Sequence, residues 1–487
     1  MDFIKKRILT SITGCLVVLL LFATACEDFE TVNSNPNEPE EVDPNLLFPS
    51  VIKKSVDNSV DNSMYVGNIV AQHTSKVLFG STDRYDWDSF TGYWNGFYGA
   101  LRDANDMYNV GVEQEHENYQ GVALVMKTWM FSMLTDAYGD IPYTEALEAK
   151  SENENSPAYD EQADIYAGML EDLETANELL DPDGEPIEND ILYDNDILKW
   201  KKFANSLRLR LLMRISHKQD VSGDMQQIVD NPDTHPVFET VNDNAALEYE
   251  SSNPNQFPIH TYRVGTFQEF RASKTLVDTL NIFNDPRLPV FADPTDNSVE
   301  EGDPEYVGVP NGLEDDAAAN YNGSPSDQSR MGSRYFDEPN EAKGLIMSLA
   351  ELKFILAEAA ERGLIDGDTE TYYEEGIEAS FEQYDVEPDD GYFSQPDVAF
   401  DPNRALEQIG TQKWISLFFT GLEAWFDWRR TGYPELEPSV ENRNSDQIPV
   451  RMRYPTEEQS LNSENYQEAV DRQGPDNINT EMWIVEE

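Results

Sequence analysis

Cysteine is almost missing from this chain: there are two in 487 residues, Cys15 and Cys26. Cys15 lies inside an N-terminal apolar run, so the remainder holds no pair for a disulfide, and a disulfide-stapled framework is excluded. Histidine is scarce as well. The five histidines, His73, His116, His217, His235 and His260, show neither HExxH nor any other metal-ligand spacing. Basic residues are few, with 34 Lys and Arg against 94 Asp and Glu and a formal charge of −60. Such a surface repels phosphate backbones, which argues against nucleic acid as a partner. Nor is there a GxSxG nucleophile elbow or a GxxxxGK[ST] phosphate loop. Ninety-four acids make neighbouring carboxylates inevitable, so no glycosidase pair can be singled out. The sequence assigns no catalytic residue, no metal and no cofactor.

The one long hydrophobic run stands at the start. Lys5, Lys6 and Arg7 precede an uncharged stretch from Gly14 to Ala23, and the small residues Ala23, Thr24 and Ala25 lead to Cys26. This is the layout of a secretory signal, with an apolar part short for a membrane span; an uncleaved anchor is the alternative. The stretch LLLFATACEDFE resembles a bacterial lipoprotein signal, which implies a lipidated Cys26 as first mature residue. Several acyl chains, at about 0.8 kcal/mol per buried CH₂, would hold it on a membrane. The acidic Glu27-Asp28-Phe29-Glu30 resembles an export signal to the outer face of a Gram-negative outer membrane; a solvated acidic tether is the bland reading. The expected organisation is a signal peptide over 1–25, a lipidated cysteine with extended tether over 26–49, and a single helical domain over 50–487.

Aromatic bulk is plentiful, with 8 Trp, 23 Tyr and 23 Phe, so the chain can bury a large core despite its charge. Tyr93, Trp94, Phe97, Tyr98, Leu101, Ala104 and Tyr108 recur at three- and four-residue steps and predict an amphipathic helix. Val122 to Ala137 is apolar nearly all round and predicts a buried helix ending by Gly139 and Pro142. Further helices are expected around Ile165 to Leu180, Trp200 to Ile215, Leu345 to Arg362, Thr369 to Tyr384 and Arg404 to Trp428. Residues 231–262 and 284–344, dense in Asn, Asp, Pro and Gly, predict long loops of the kind that carry function or are disordered. The fold class is mostly α: a helical scaffold with tetratricopeptide-like helix pairs, long irregular loops and few strands.

LAELKFILAEAAERG (Leu349 to Gly363) and GLEAWFDWRRTGYP (Gly421 to Pro434) resemble diagnostic stretches of the SusD/RagB-like lipoproteins. The resemblance extends to WMFSMLTDAYGDIPYTEAL, WKKFANSLRLRLLMRIS, NDPRLPVFADP and NPNEPEEVDPNLLFP, and so spans most of the chain. It implies a non-enzymatic outer-membrane lipoprotein that captures a nutrient, an oligosaccharide or sometimes a peptide. The nutrient would pass to a SusC-like TonB-dependent β-barrel transporter. A surface glycoside hydrolase and a structural adhesin are the readings from other classes. The motifs also have structural roles: Glu423, Asp427, Arg429 and Arg430 can pair around one turn, Glu351 and Glu358 can satisfy neighbouring arginines, and Asn284-Asp285-Pro286-Arg287 can form a turn with a fixed Arg.

Sugar sites need exposed aromatic platforms beside polar groups that fix orientation. FGSTDRYDWDSF (Phe79 to Phe90) has that composition, so Tyr85 and Trp87, among Asp83 and Arg84, are candidate ligand contacts; the alternative is that they lock the loop onto the body. A second candidate region contains Tyr306, Tyr321, Asn322, Arg330, Arg334 and Tyr335. Asp315 and Asp316 together fall short of a calcium loop.

Overall fold

Helix α1 (Pro44–Asn62) turns Phe48, Val51, Ile52, Val56 and Val60 inward on one face. This is seen in a computed structural model that describes residues 43–147 and 156–485. Helix α2 (Thr91–Glu113) lays Tyr93, Trp94, Phe97, Leu101 and Ala104 into the core and packs against α1. Helix α3 (Glu117–Tyr138) follows after a three-residue connection, short enough to return the chain alongside α2. From Val122 to Tyr138 only Lys127 escapes full burial, because α2 covers one side of α3 and α4 (Gln162–Leu179) another. His116 caps α3, its Nδ1 accepting from the Tyr119 amide at 3.4 Å. Gly139, at φ +86°, ends the helix where a Cβ would collide with the Gln473 side chain. Helix α5 (Ile197–Ile215) packs on α4 and completes the first series of helix pairs, the tetratricopeptide-like arrangement expected.

The second series is α6 (Leu349–Glu361), α7 (Thr369–Gln383), α8 (Ala405–Ser416) and α9 (Glu423–Thr431). Ser348 and Asp368 cap α6 and α7, accepting from Glu351 N at 3.1 Å and Thr371 N at 2.8 Å. Two expected boundaries move. Residues 345–348 precede the helix: Gly344–Met347 forms strand β4, paired antiparallel with β2 (Ala245–Leu247), while β1 (Thr74–Lys76) pairs with β3 (Phe270–Ala272). The helix expected over Arg404 to Trp428 is two helices, since Phe419 at φ +61° and Gly421 at φ +57° break the ladder. Cys26 and the start of the expected tether lie outside the described residues, and regular helix begins at Pro44, within the span expected to be tether. No helix among the described residues is long and apolar enough to cross a membrane.

Helix α5 is apolar yet carries Arg208, Arg210 and Arg214 into the interior. Arg210 donates to both oxygens of Glu351 on α6 at 2.6 Å, and Arg214 pairs with Glu423 on α9 and lies 3.5 Å from Asp136 on α3. Lys413 meets Asp427 at 2.9 Å, and Arg430 joins Asp427 to Glu358. Arg287 and Asp285, both with fully buried side chains, form the expected fixed turn at 2.6 Å. The charged motifs therefore pair in the interior, and the Arg210–Glu351 and Arg214–Glu423 bridges tie the two helical series together. Losing one partner of such a pair costs about 3–5 kcal/mol, so these residues are specified by fold rather than by chemistry on a substrate.

Candidate ligand-binding site

The segment Phe79 to Phe90 is wound back onto the body. Asp83 is buried and accepts from Ser75 Oγ at 3.2 Å, Lys76 N at 3.0 Å and Asn311 Nδ2 at 2.7 Å. Burial nevertheless pushes its carboxyl up to about 6. Tyr85, at φ +59°, is 2% exposed, and its hydroxyl accepts from Ser439 N at 3.3 Å. Trp87 is 7% exposed; its indole donates to Thr82 O at 2.9 Å and meets Trp425 edge-on at 5.7 Å. The expectation of an exposed Tyr85–Trp87 platform is thus corrected: the chain turns back with Tyr85 at positive φ, and both rings are buried, where they anchor the loop. Arg84 is buried as well. The ring that this stretch does present is Phe79, 69% exposed at φ +54°.

The second candidate region divides. Tyr321 is half-buried against the small cluster of Val77, Val309 and Ala318, and Asn322 is exposed with its amide donating to Asp327 O at 3.2 Å. This part lies against the Phe79 loop, because Asp315 accepts from Phe79 N at 3.0 Å, Gly80 N at 3.3 Å and Arg84 Nη1 at 3.0 Å. Asp315 is committed to that junction. Arg330 sits 5.7 Å from the Phe336 ring and 3.6 Å from Asp296, and Tyr306 is half-buried. Arg334 and Tyr335 line a separate cavity of about 350 Å³, whose wall includes neither Tyr321 nor Asn322. Tyr335 is buried there, stacked on Phe419 at 4.7 Å.

A third surface has no counterpart among the sequence candidates. Where α1 gives way to a π-turn (Ser63–Gly67), Tyr65 projects half-buried and meets Tyr262 edge-on at 6.0 Å and Phe270 at 6.0 Å. Lys76 Nζ lies 5.3 Å from the Phe270 ring and 3.2 Å from Glu269. Asp61, one helical turn before Tyr65, is within hydrogen-bonding reach of Tyr262; burial raises its carboxyl to about 6 against that bond. Burial and the same carboxylate lift the Tyr262 phenol to about 12. Val264, 86% exposed, follows on the same loop. Two partly open tyrosine rings flanked by Asp61, Glu269 and Lys76 offer apolar faces for sugar C–H groups and acceptors and donors for hydroxyls. The only sequence signal was that Tyr262 closes the long loop 231–262; Tyr65, inside SMYVGN, has no charged neighbours to mark it. No group of three or more His, Cys, Asp or Glu among the described residues is placed to hold a metal ion.

A family model described as "Starch-binding associating with outer membrane" (SusD-like) matches residues 36–455. A SusD homologue from Bacteroides fragilis superposes with a TM-score of 0.78 at 26% identity, covering 92% of this chain and all of its own. A chitin-binding protein matches at TM-score 0.77 and 28% identity, over 91% of this chain and 99% of that one. A chitin-binding SusD homologue from Flavobacterium johnsoniae shares the fold at TM-score 0.75 and 24% identity, over 89% and 98%. No curated protein sequence matches significantly. The family model runs through the N-terminal helix, both helical series and the interior charge network, and the chain belongs to the SusD-like family.

Proposed function

We propose that this chain is a surface lipoprotein, held by a lipidated Cys26 on the outer membrane, that binds an oligosaccharide and passes it to a SusC-like TonB-dependent transporter. The observation carrying the glycan reading is the Tyr65–Tyr262 face with Asp61, Lys76 and Glu269 around it. The family description and the chitin-binding relatives support the same ligand class. Binding without catalysis fits the family and the commitment of the motif carboxylates to buried arginines. Import of short peptides by the same architecture is the competing reading.

Calorimetric titration of the purified chain with neutral oligosaccharides (starch- and chitin-derived) and with short peptides tests this. Saccharide binding that weakens at least about tenfold in Tyr65→Ala and Tyr262→Ala supports it. Peptide binding alone, or saccharide binding indifferent to both substitutions, overturns it. Co-purification of a large β-barrel with the tagged protein from its native membrane tests the transporter partnership.

A further inference from the structure

The cavity beside Arg334 and Tyr335 has a chemistry of its own. It opens between the first turn of α5, the C-terminal end of α7 and the turn joining α8 to α9, and its volume of about 350 Å³ lies in the range of small-ligand sites. Its wall is aromatic and rigid. Tyr335 stacks on Phe419 at 4.7 Å with an 18° interplanar angle, and the Tyr384 hydroxyl accepts from Tyr335 and Gln383. Gln383 is held in turn by Asn244 at 3.2 Å.

Two cations line this cavity without a carboxylate partner. Arg334 holds its guanidinium 5.7 Å from the Tyr384 ring and Lys199 its ammonium 5.9 Å from Tyr193; neither enters an ion pair among the described residues. Both are half-buried. In a chain with 94 acids and 34 bases, carboxylates to neutralise them were abundant. The acids that do reach this cavity are exposed: Glu248 is already paired with Lys343 at 2.7 Å, and Glu382 and Asp385 stand where solvent and salt screen them. Arg334 and Lys199 are therefore the least screened charges on the cavity wall.

We propose that this cavity is a second binding site, distinct from the Tyr65–Tyr262 face, for a sugar unit bearing an oxyanion, either a uronate carboxylate or a sulfate ester. Arg334 grips the anionic group through its planar fork, Lys199 adds a second positive charge, and the sugar lies against the Tyr335–Tyr384 wall. The proposal takes the sugar part of its ligand from the glycan reading above; the anionic part rests on Arg334 and Lys199 alone.

The test is calorimetric titration of the full chain in detergent with digalacturonate, N-acetylglucosamine 6-sulfate and neutral cellobiose. At about 20 mM salt at least one anionic ligand should bind about tenfold or more tighter than cellobiose, and should weaken at about 200 mM salt. Arg334→Gln should reduce that affinity about tenfold, and Lys199→Gln by a smaller factor, while Tyr262→Ala leaves it unchanged. Whichever anion binds identifies the source of the charge. Lys199→Gln keeps the test valid should Arg334→Gln fold poorly. Equal affinity for cellobiose, no binding of either anion, or anion binding untouched by both substitutions would overturn the proposal. Anion binding without any neutral-sugar binding at Tyr262 would instead sink the first site and leave this one standing.

Discussion

The guanidinium of Arg84 donates to the Asp315 carboxylate at 3.0 Å, across 231 residues of sequence. That contact joins the two regions singled out by composition, and the same carboxylate accepts the amides of Phe79 and Gly80. One acidic side chain therefore sets the conformation that presents Phe79 to solvent.

Asp315→Ala should release this loop. Asp315 is partly exposed, so solvent screening limits the loss to about 1–2 kcal/mol of global stability. The local effect should be larger: amide exchange at Phe79 and Gly80 is expected to accelerate strongly while that of α3 stays slow. Unchanged exchange at both amides would show that the loop is held by other contacts.

Tyr85→Ala and Trp87→Ala should destabilise the protein by about 3–5 kcal/mol each, as expected for emptying a buried aromatic site. Ligand affinity of the folded fraction should stay the same. Tyr65→Ala and Tyr262→Ala should do the reverse, with a shift in unfolding midpoint small beside that of Trp87→Ala and a clear loss of saccharide affinity. Denaturant unfolding and titration on all four variants separate anchors from platform.

The contrast between these pairs explains what the sequence could convey. The helical series were legible because periodic apolar residues such as Phe97, Leu101 and Ala104 must face one side of a helix wherever it packs. The interior network was legible too, since Glu351, Glu358, Asp427 and Arg430 sit on apolar helices where only mutual pairing makes their burial tolerable. Exposure was not legible. Whether Tyr85 points outward depends on φ +59° at that one residue and on Ser439, 354 positions away. Tyr65 and Tyr262 come from segments about two hundred residues apart, brought together beside the β1–β3 pairing that also sets Phe270 against Tyr65. Strand β4 was hidden for a related reason: the apolar Leu345 to Met347 run suits a helix or a strand, and its pairing with Ala245–Leu247 decided the matter.

Glu351→Gln should lower stability by about 3–5 kcal/mol, because it leaves Arg210 buried with its charge unmatched. The exposed i,i+4 pair Lys274–Asp278 provides the internal control: Asp278→Asn should change stability by less than about 0.5 kcal/mol. Comparable losses at the two sites would contradict the distinction drawn between interior and surface pairs.

The pH dependence of stability should carry the signature of Asp61. Its carboxyl is raised from the ordinary value near 4 to about 6, chiefly by burial and despite the Tyr262 hydroxyl. Between those values the folded state binds more protons at this site than the unfolded chain, so the contribution of Asp61 falls as pH rises through that window and levels off above about 6. Carboxylates held low by buried cations, such as Asp285 beside Arg287, act in the opposite sense at lower pH. The comparison must therefore be made by difference: relative to Asp61→Asn, the native protein should lose up to about 1 kcal/mol per pH unit between about pH 4 and 6. Denaturant unfolding of both proteins across that range measures it. Parallel curves would mean that Asp61 titrates normally and that water reaches it beneath the tyrosine pair. A native-minus-variant difference that falls with rising pH would establish that Asp61 is sheltered from water beside the tyrosine pair, and saccharide affinity measured at the same pH values would then report which protonation state the ligand prefers.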